Sequence, residues 1–239
     1  SLTIAEAASL PLTSLTSWEA LVDHIGLGTL DQRSDKAFLM IGGAGGVGSV
    51  AIQLARAITS GPVVATSSRP ETAQWCQDMG ATGIIDHREP LAPQVKGLGI
   101  DGFDGILSAY TPPASALAEI MAPFGHLVMI DGTDSFDLMA FKPKSLSVAS
   151  ESMFTRPQFG TADVAKQGQA LTRIAQLVEN GPPHRGTDGS ARPRGHRGRR
   201  VRQHDRQGRH HPLTLLERSL APLHMAQNTT EPPAHRGFS

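Results

Sequence analysis

The run Gly43-Ala44-Gly45-Gly46-Val47-Gly48 fits the spacing G-x-G-x-x-G. Chemistry at such a run is done by the backbone. Glycines let the main chain pass close to a ligand, and the start of the following helix presents unpaired N–H groups at the positive end of its dipole. Together they could hold a diphosphate. In that reading Gly43 permits the tight turn, Gly45 admits the pyrophosphate, and Gly48 lets helix and strand pack closely. The competing reading is a tight glycine turn with no ligand.

A second feature bears on which dinucleotide is held. Binders of NAD place an Asp or Glu about 20 residues beyond the glycines to accept the ribose 2′-hydroxyl. Here the corresponding stretch is Ala65-Thr66-Ser67-Ser68-Arg69, without a carboxylate. A guanidinium can fork onto a 2′-phosphate that a carboxylate would repel. Ser68 and Arg69 therefore predict NADP(H). The alternative is that Arg69 is a solvated residue before Pro70.

These residues need a scaffold, and the surrounding pattern supplies one. KAFLMIG (36–42) is a short apolar run that reads as a buried strand before the glycines. VAIQLARAI comes next with a one-sided helical stripe. Further strands are expected at 63–66, GIIDH, FDGILSAY, GHLVMIDG and KSLSVASESM. Helices are expected from Pro70 to Gly80, over PASALAEIMAPFG, and from a Thr161 cap through Asn180, with Leu171, Ile174, Ala175 and Val178 inward and Gly181 as terminator. SWEALVDHIGL reads as an approach helix capped by Ser17. The alternation predicts an α/β fold: a doubly wound parallel sheet, the Rossmann architecture.

Net charge is zero, yet residues 1–181 hold 11 basic and 18 acidic residues while residues 182–239 hold 11 Arg, no Lys and four acids. That shift marks a boundary. The single cysteine, Cys76, fits a reducing compartment such as the cytoplasm, and no apolar run is long enough to span a bilayer.

AASLPLTSLTSWEAL, IGGAGGVGSVAIQLAR, VVATSSRPETAQWCQDMGATGIIDHRE and KPKSLSVASESMFTRPQF together resemble the cofactor half of the medium-chain dehydrogenase/reductase superfamily. The branch they resemble is the zinc-type alcohol dehydrogenase-like, or quinone-oxidoreductase-like, proteins, and the likeness runs from about Ala5 to Gly181. It implies an NADPH-dependent oxidoreductase that passes hydride to a carbonyl, enone or quinone, acting on a small molecule and pairing as a homodimer through an edge strand. Carried over by position, Thr16 lies near the nicotinamide carboxamide, Ala44, Gly45, Gly46 and Val47 hold the pyrophosphate, His87 lies near the adenine ribose, and Ser108 on the adenosine side. Ile130 and Asp131 approach the nicotinamide ribose, and Met153 and Phe154 border the nicotinamide. For Met153 and Phe154 simple core packing competes, and for His87 a surface position. No catalytic acid or base is assigned; Tyr110 and Asp131 are candidates by position only.

The sequence departs from the resemblance in two places. Residues 1–34 read as a lead-in from a GroES-like domain that is missing, so zinc ligands are absent and no metal site is expected; Cys76 reads as a structural thiol. Residues 35–181 read as the NADP(H)-binding domain. Residues 182–239 read as a disordered basic tail, rich in Arg, His, Pro and Gly and of a composition that an out-of-frame GC-rich gene produces. A nucleic-acid arm is the competing reading of the tail, but residues 182–237 contain no aromatic to stack on a base. A truncated fragment that binds NADP(H) without turnover is the alternative to the enzyme.

Overall fold

The computed structural model describes residues 4–133 and 135–180. Six strands form one sheet: β1 (Phe38–Ile41), β2 (Val63–Thr66), β3 (Gly83–Ile85), β4 (Phe103–Ser108), β5 (Met121–Met129) and β6 (Ser147–Ser150). All pairings are parallel and the order is β3-β2-β1-β4-β5-β6. β1 and β2 are buried throughout, as a strand covered on both faces requires. The chain order reverses between β1 and β4, and in such sheets a crevice opens there beyond the strand C-termini.

Seven helices accompany the sheet among the described residues: α1 (Ile4–Trp18), α2 (Gly46–Ile58), α3 (Pro70–Asp78), α4 (Leu91–Gly97), α5 (Ala114–Ile120), α6 (Thr155–Phe159) and α7 (Ala165–Asn180). Two apolar clusters fill the two sides of the sheet. One joins α2 and α3 to Phe38, Met40, Val63 and Ala65; the other joins α4 and α5 to Leu39, Ile41, Val64 and Ile106. The doubly wound fold is therefore as read from the sequence.

Element ends differ from expectation in several places. Ser17 does not cap a helix. α1 runs through it from Ile4, and a π-helical turn, Glu19–His24, comes after. The Ser17 hydroxyl donates to the Thr13 carbonyl at 2.7 Å and faces the Val47 carbonyl at 3.3 Å, so it joins α1 to α2. α5 ends at Ile120, and Met121 already belongs to β5. Pro123 cannot donate to a helix, and Phe124 takes φ +63°, which a helix forbids. The sequence reading has no counterpart for α4, about two turns around Pro93 that bury Leu91 and Val95. Thr161 does not cap α7. Its hydroxyl donates to Asp163 at 2.7 Å, and the helix starts at Ala165. Ala170, Ile174 and Val178 are the buried positions of α7, whereas Ala175 is exposed.

Among the described residues no helix is long and apolar enough to cross a membrane. The readings placed on Gly181 and on residues 182–239 lie outside the described residues.

Candidate cofactor site

The crevice is built from the turns at the C-terminal ends of the strands. After β1 the chain turns at Gly42, which takes φ +84°, and the Gly45 N–H donates to the Gly42 carbonyl at 3.1 Å. The left-handed residue of the turn is thus Gly42 and not Gly43. Gly43 is required for packing instead: a Cβ there would stand 2.7 Å from Ala65 Cβ and 2.9 Å from Cys76 Sγ. At Gly48 a Cβ would stand 2.5 and 2.6 Å from the carbonyl oxygens of Gly42 and Gly43, so helix and strand meet there as expected. Gly45 and Gly46 are exposed and open, their nearest neighbours being Gly42 O and Thr13 Cγ2, both at 3.4 Å. Gly45 caps α2 in extended conformation, and the first N–H groups of α2 have no intrahelical acceptors.

Thr66 and Tyr110 wall the loop. The Thr66 hydroxyl accepts from Gly42 N–H at 3.0 Å and lies 3.5 Å from the Tyr110 hydroxyl. The Tyr110 ring meets His87 edge-on, centroids 5.3 Å apart. Burial raises the Tyr110 pKa, partly opposed by the Thr66 hydroxyl. His87 is exposed except for this contact. Ser108 is fully buried and its hydroxyl donates to the Tyr110 carbonyl, which closes the turn after β4.

At the end of β2, Ser68 is half-buried and Arg69 is exposed. The Arg69 backbone stands at the N-cap of α3 in extended conformation. Among the described residues no side chain engages its guanidinium. At the end of β3, Asp86 is bound by Arg88. Hydrogen bonds from Arg88 hold the Asp86 carboxyl well below the usual range, at about 2.

Thr16 is buried in α1, and its hydroxyl donates to Leu12 O at 3.0 Å within its own helix. Ile130 is half-buried and its N–H reaches Ser108 O at 3.1 Å. Asp131 is exposed and accepts only from Gly132 N–H, at 2.8 Å, among the described residues. Phe154 is exposed and precedes α6, while Met153 is half-buried with its carbonyl bound by Gln167 at 2.6 Å. The structure thus gathers the glycine loop, Thr66, His87, Ser108 and Tyr110 by direct contact. No direct contact among the described residues ties Thr16, Asp131 and Phe154 to one another.

Cys76 is fully buried against Gly43, and burial pushes its thiol up to about 11. Among the described residues no three His, Cys, Asp or Glu side chains stand together in a way that could hold a metal ion.

Sequence reasoning missed a buried ionic cluster beyond β6. Arg156 contacts Glu19 at 2.7 Å, Asp23 at 2.8 Å and Asp163 at 3.2 Å. Glu151 is almost wholly buried, and its Oε2 lies 2.9 Å from His24 Nε2. Its Oε1 has no hydrogen-bond partner among the described residues. Burial first, then the Glu19 charge, pushes the Glu151 carboxyl up from 4.5 to about 8. No local motif could signal this group, because its members are as far apart as Glu19 and Asp163. The folded protein therefore holds a proton that the unfolded chain releases near the ordinary carboxyl pKa. Stability from this group is complete at low pH and falls as pH rises through about 8. Thermal midpoints at about pH 5 and about pH 9 should show that loss in the parent and a smaller one in Glu151→Gln.

Comparison with known proteins decides what this arrangement belongs to. The profile of the family described as zinc-binding dehydrogenase matches residues 46–167, from the glycine loop into α7. The chain belongs to that family. It carries the cofactor-binding half of a medium-chain dehydrogenase/reductase. A zinc-type alcohol dehydrogenase-like protein of Staphylococcus aureus (strain COL) is 37% identical over 180 residues, covering 74% of this chain and 53% of that protein. The crystal structure of a candidate zinc-dependent alcohol dehydrogenase from Rhizobium etli CFN 42 superposes with a TM-score of 0.71 at 43% identity, covering 76% of this chain and 54% of that one. The quinone oxidoreductase of Thermus thermophilus, solved alone and with NADPH, superposes with a TM-score of 0.57 at 25% identity, covering 72% of this chain and 52% of that one. The chain spans about half the length of the relatives it matches.

Proposed function

We propose that this chain is the NADP(H)-binding part of an oxidoreductase that transfers hydride to a carbonyl, enone or quinone. The observation that carries the reading is the exposed guanidinium of Arg69 at the end of β2, where NAD binders place a carboxylate. The glycine loop fits a diphosphate, since Gly45 and Gly46 leave open a face that a Cβ would cover. In this reading the α2 amides hold the diphosphate and Ser68 and Arg69 the 2′-phosphate. Tyr110 and His87 flank the adenosine beside Ser108. Thr16, Ile130, Asp131 and Phe154 border the nicotinamide end. When bound, the coenzyme supplies the hydride. The chain's own part is to orient it and to exclude water from one face.

Residues 35–181 form the cofactor domain in this proposal, and α1 with the π-helical turn forms the lead-in of residues 1–34. Among the described residues no strand pairs with the outer edge of β6, which supports pairing of two copies there. The lone buried thiol suits a cytoplasmic setting.

The test is calorimetry with both coenzymes. Arg69→Ala should weaken NADPH binding by ~10-fold or more, the worth of a charge-assisted hydrogen bond to phosphate, and leave NADH within about twofold. Equal loss for both, or none, overturns the assignment. Loss of NADPH absorbance on adding a quinone or enone would show turnover. Binding without such loss would favour a domain that only binds.

A further inference from the structure

The proposed 2′-phosphate subsite contains more charge than Arg69. Asp86 and Arg88 lie just beyond β3, and β3 pairs directly with β2, Thr66 standing opposite Ile85. The Asp86 carboxylate therefore lies at the same rim as Ser68 and Arg69. Left bare, it would oppose a phosphate there, because like charges repel strongly at close range. Arg88 covers it: Nε donates to Oδ1 at 3.1 Å and to Oδ2 at 3.2 Å, and Nη2 donates to Oδ2 at 2.6 Å.

The second Nη2 hydrogen goes elsewhere, to Ser68 O at 2.8 Å. That carbonyl belongs to the peptide joining Ser68 to Arg69. The guanidinium is planar, with five N–H groups in fixed directions. Asp86 takes the side face formed by Nε and Nη2. Ser68 takes the Nη2 hydrogen of the end face. The neighbouring end-face hydrogen on Nη1 must then run parallel, along the Ser68–Arg69 peptide. Among the described residues nothing engages Nη1.

We propose that Arg88, locked by Asp86, is a second specificity-determining cation of the 2′-phosphate subsite, offering Nη1 beside Arg69. This rests on the NADP(H) reading above and assigns it a residue that the glycine-loop spacing does not reach. Asp86 acts through Arg88: it orients the guanidinium, and its own charge is cancelled by it. An exposed ion pair of this kind adds little to folding, so its removal is read in binding and not in stability.

The probes are adenosine 2′,5′-bisphosphate and 5′-AMP, which differ only in the 2′-phosphate. Calorimetry uses the full chain. Arg88→Ala should weaken the bisphosphate ~10-fold or more, because it both removes a donor and bares Asp86, while 5′-AMP changes less than about twofold. Adding Asp86→Asn to Arg88→Ala should recover part of that loss, since the bare carboxylate is gone. Asp86→Asn alone should cost less than Arg88→Ala. Unchanged melting temperatures should accompany all three variants. A bisphosphate-to-AMP ratio unmoved by Arg88→Ala but collapsed by Arg69→Ala overturns the role of Arg88 and leaves the NADP(H) reading standing. A parent protein that binds both probes equally overturns both. Equal loss of both probes in Arg88→Ala assigns the residue to general electrostatics and overturns the proposal.

Discussion

Replacing Arg156 by alanine is expected to lower folding stability by ~3–5 kcal/mol, the cost of leaving a buried charge without its partner. Arg156 is 15% exposed and Glu19 is 6% exposed at the side chain, so the Glu19 carboxylate is largely removed from water and depends on the guanidinium. Burial works against the Arg156 charge, yet Glu19, Asp23 and Asp163 together outweigh it and raise its pKa above the ordinary value. Without Arg156, Glu19 and Glu151 face each other with His24 as their remaining cationic candidate. The Gln167 amide still donates to Glu19 at 2.8 Å, but a neutral donor cannot cancel the charge. Urea midpoints of the variant should therefore recover as pH falls and the carboxyls take up protons. Arg156→Lys should restore only part, since a point-like ammonium cannot fork onto three carboxylates. Glu19→Gln in the Arg156→Ala background should recover stability. If Arg156→Ala unfolds at the same denaturant concentration as the parent, the cluster does not anchor the π-helical turn, the end of β6 and α6 to one another.

The second large effect separates folding from binding within the glycine loop. Gly48→Ala sets a methyl group 2.5 Å from Gly42 O and 2.6 Å from Gly43 O. Both are backbone atoms at the end of β1 and cannot swing away, so α2 must lift from the sheet. The expected cost is ~3 kcal/mol, at the upper end for overpacking, with coenzyme binding lost as the cradle opens. Gly45→Ala is the contrast. Its methyl would meet only Gly42 O at 3.4 Å, and the residue's φ of −75° suits alanine. Stability should stay within ~1 kcal/mol of the parent. NADPH binding should still fall steeply, because the methyl occupies the face that the diphosphate needs. Thermal melts and calorimetry on the two variants check both halves. A Gly45→Ala protein that binds NADPH as the parent does would remove the loop from the site.

Much of the scaffold was legible because it rests on local patterns. Phe38–Ile41 and Val63–Thr66 are apolar runs too short for a helix and bounded by turn residues, and they read as strands buried on both faces. Pro70 announces α3 and Gly80, at φ +107°, ends it. Element ends were less legible where two local signals competed. Ser17 has the chemistry of a cap, but its hydroxyl is used inside α1 and across to α2. Thr161 likewise spends its hydroxyl on Asp163.

By itself the sequence determined the parallel α/β scaffold, the place of the glycine loop at the head of α2, and the absence of a carboxylate after β2, because each depends on neighbours a few positions apart. Only the tertiary structure decided that Gly42 makes the turn while Gly43 makes room for Cys76. Only it brought Arg88 onto the Ser68 carbonyl, and Glu19, Glu151 and Arg156 into one buried cluster. Those contacts join residues from separate strands and helices, and their directions follow from how the sheet stacks its strand ends, which no spacing along the chain encodes.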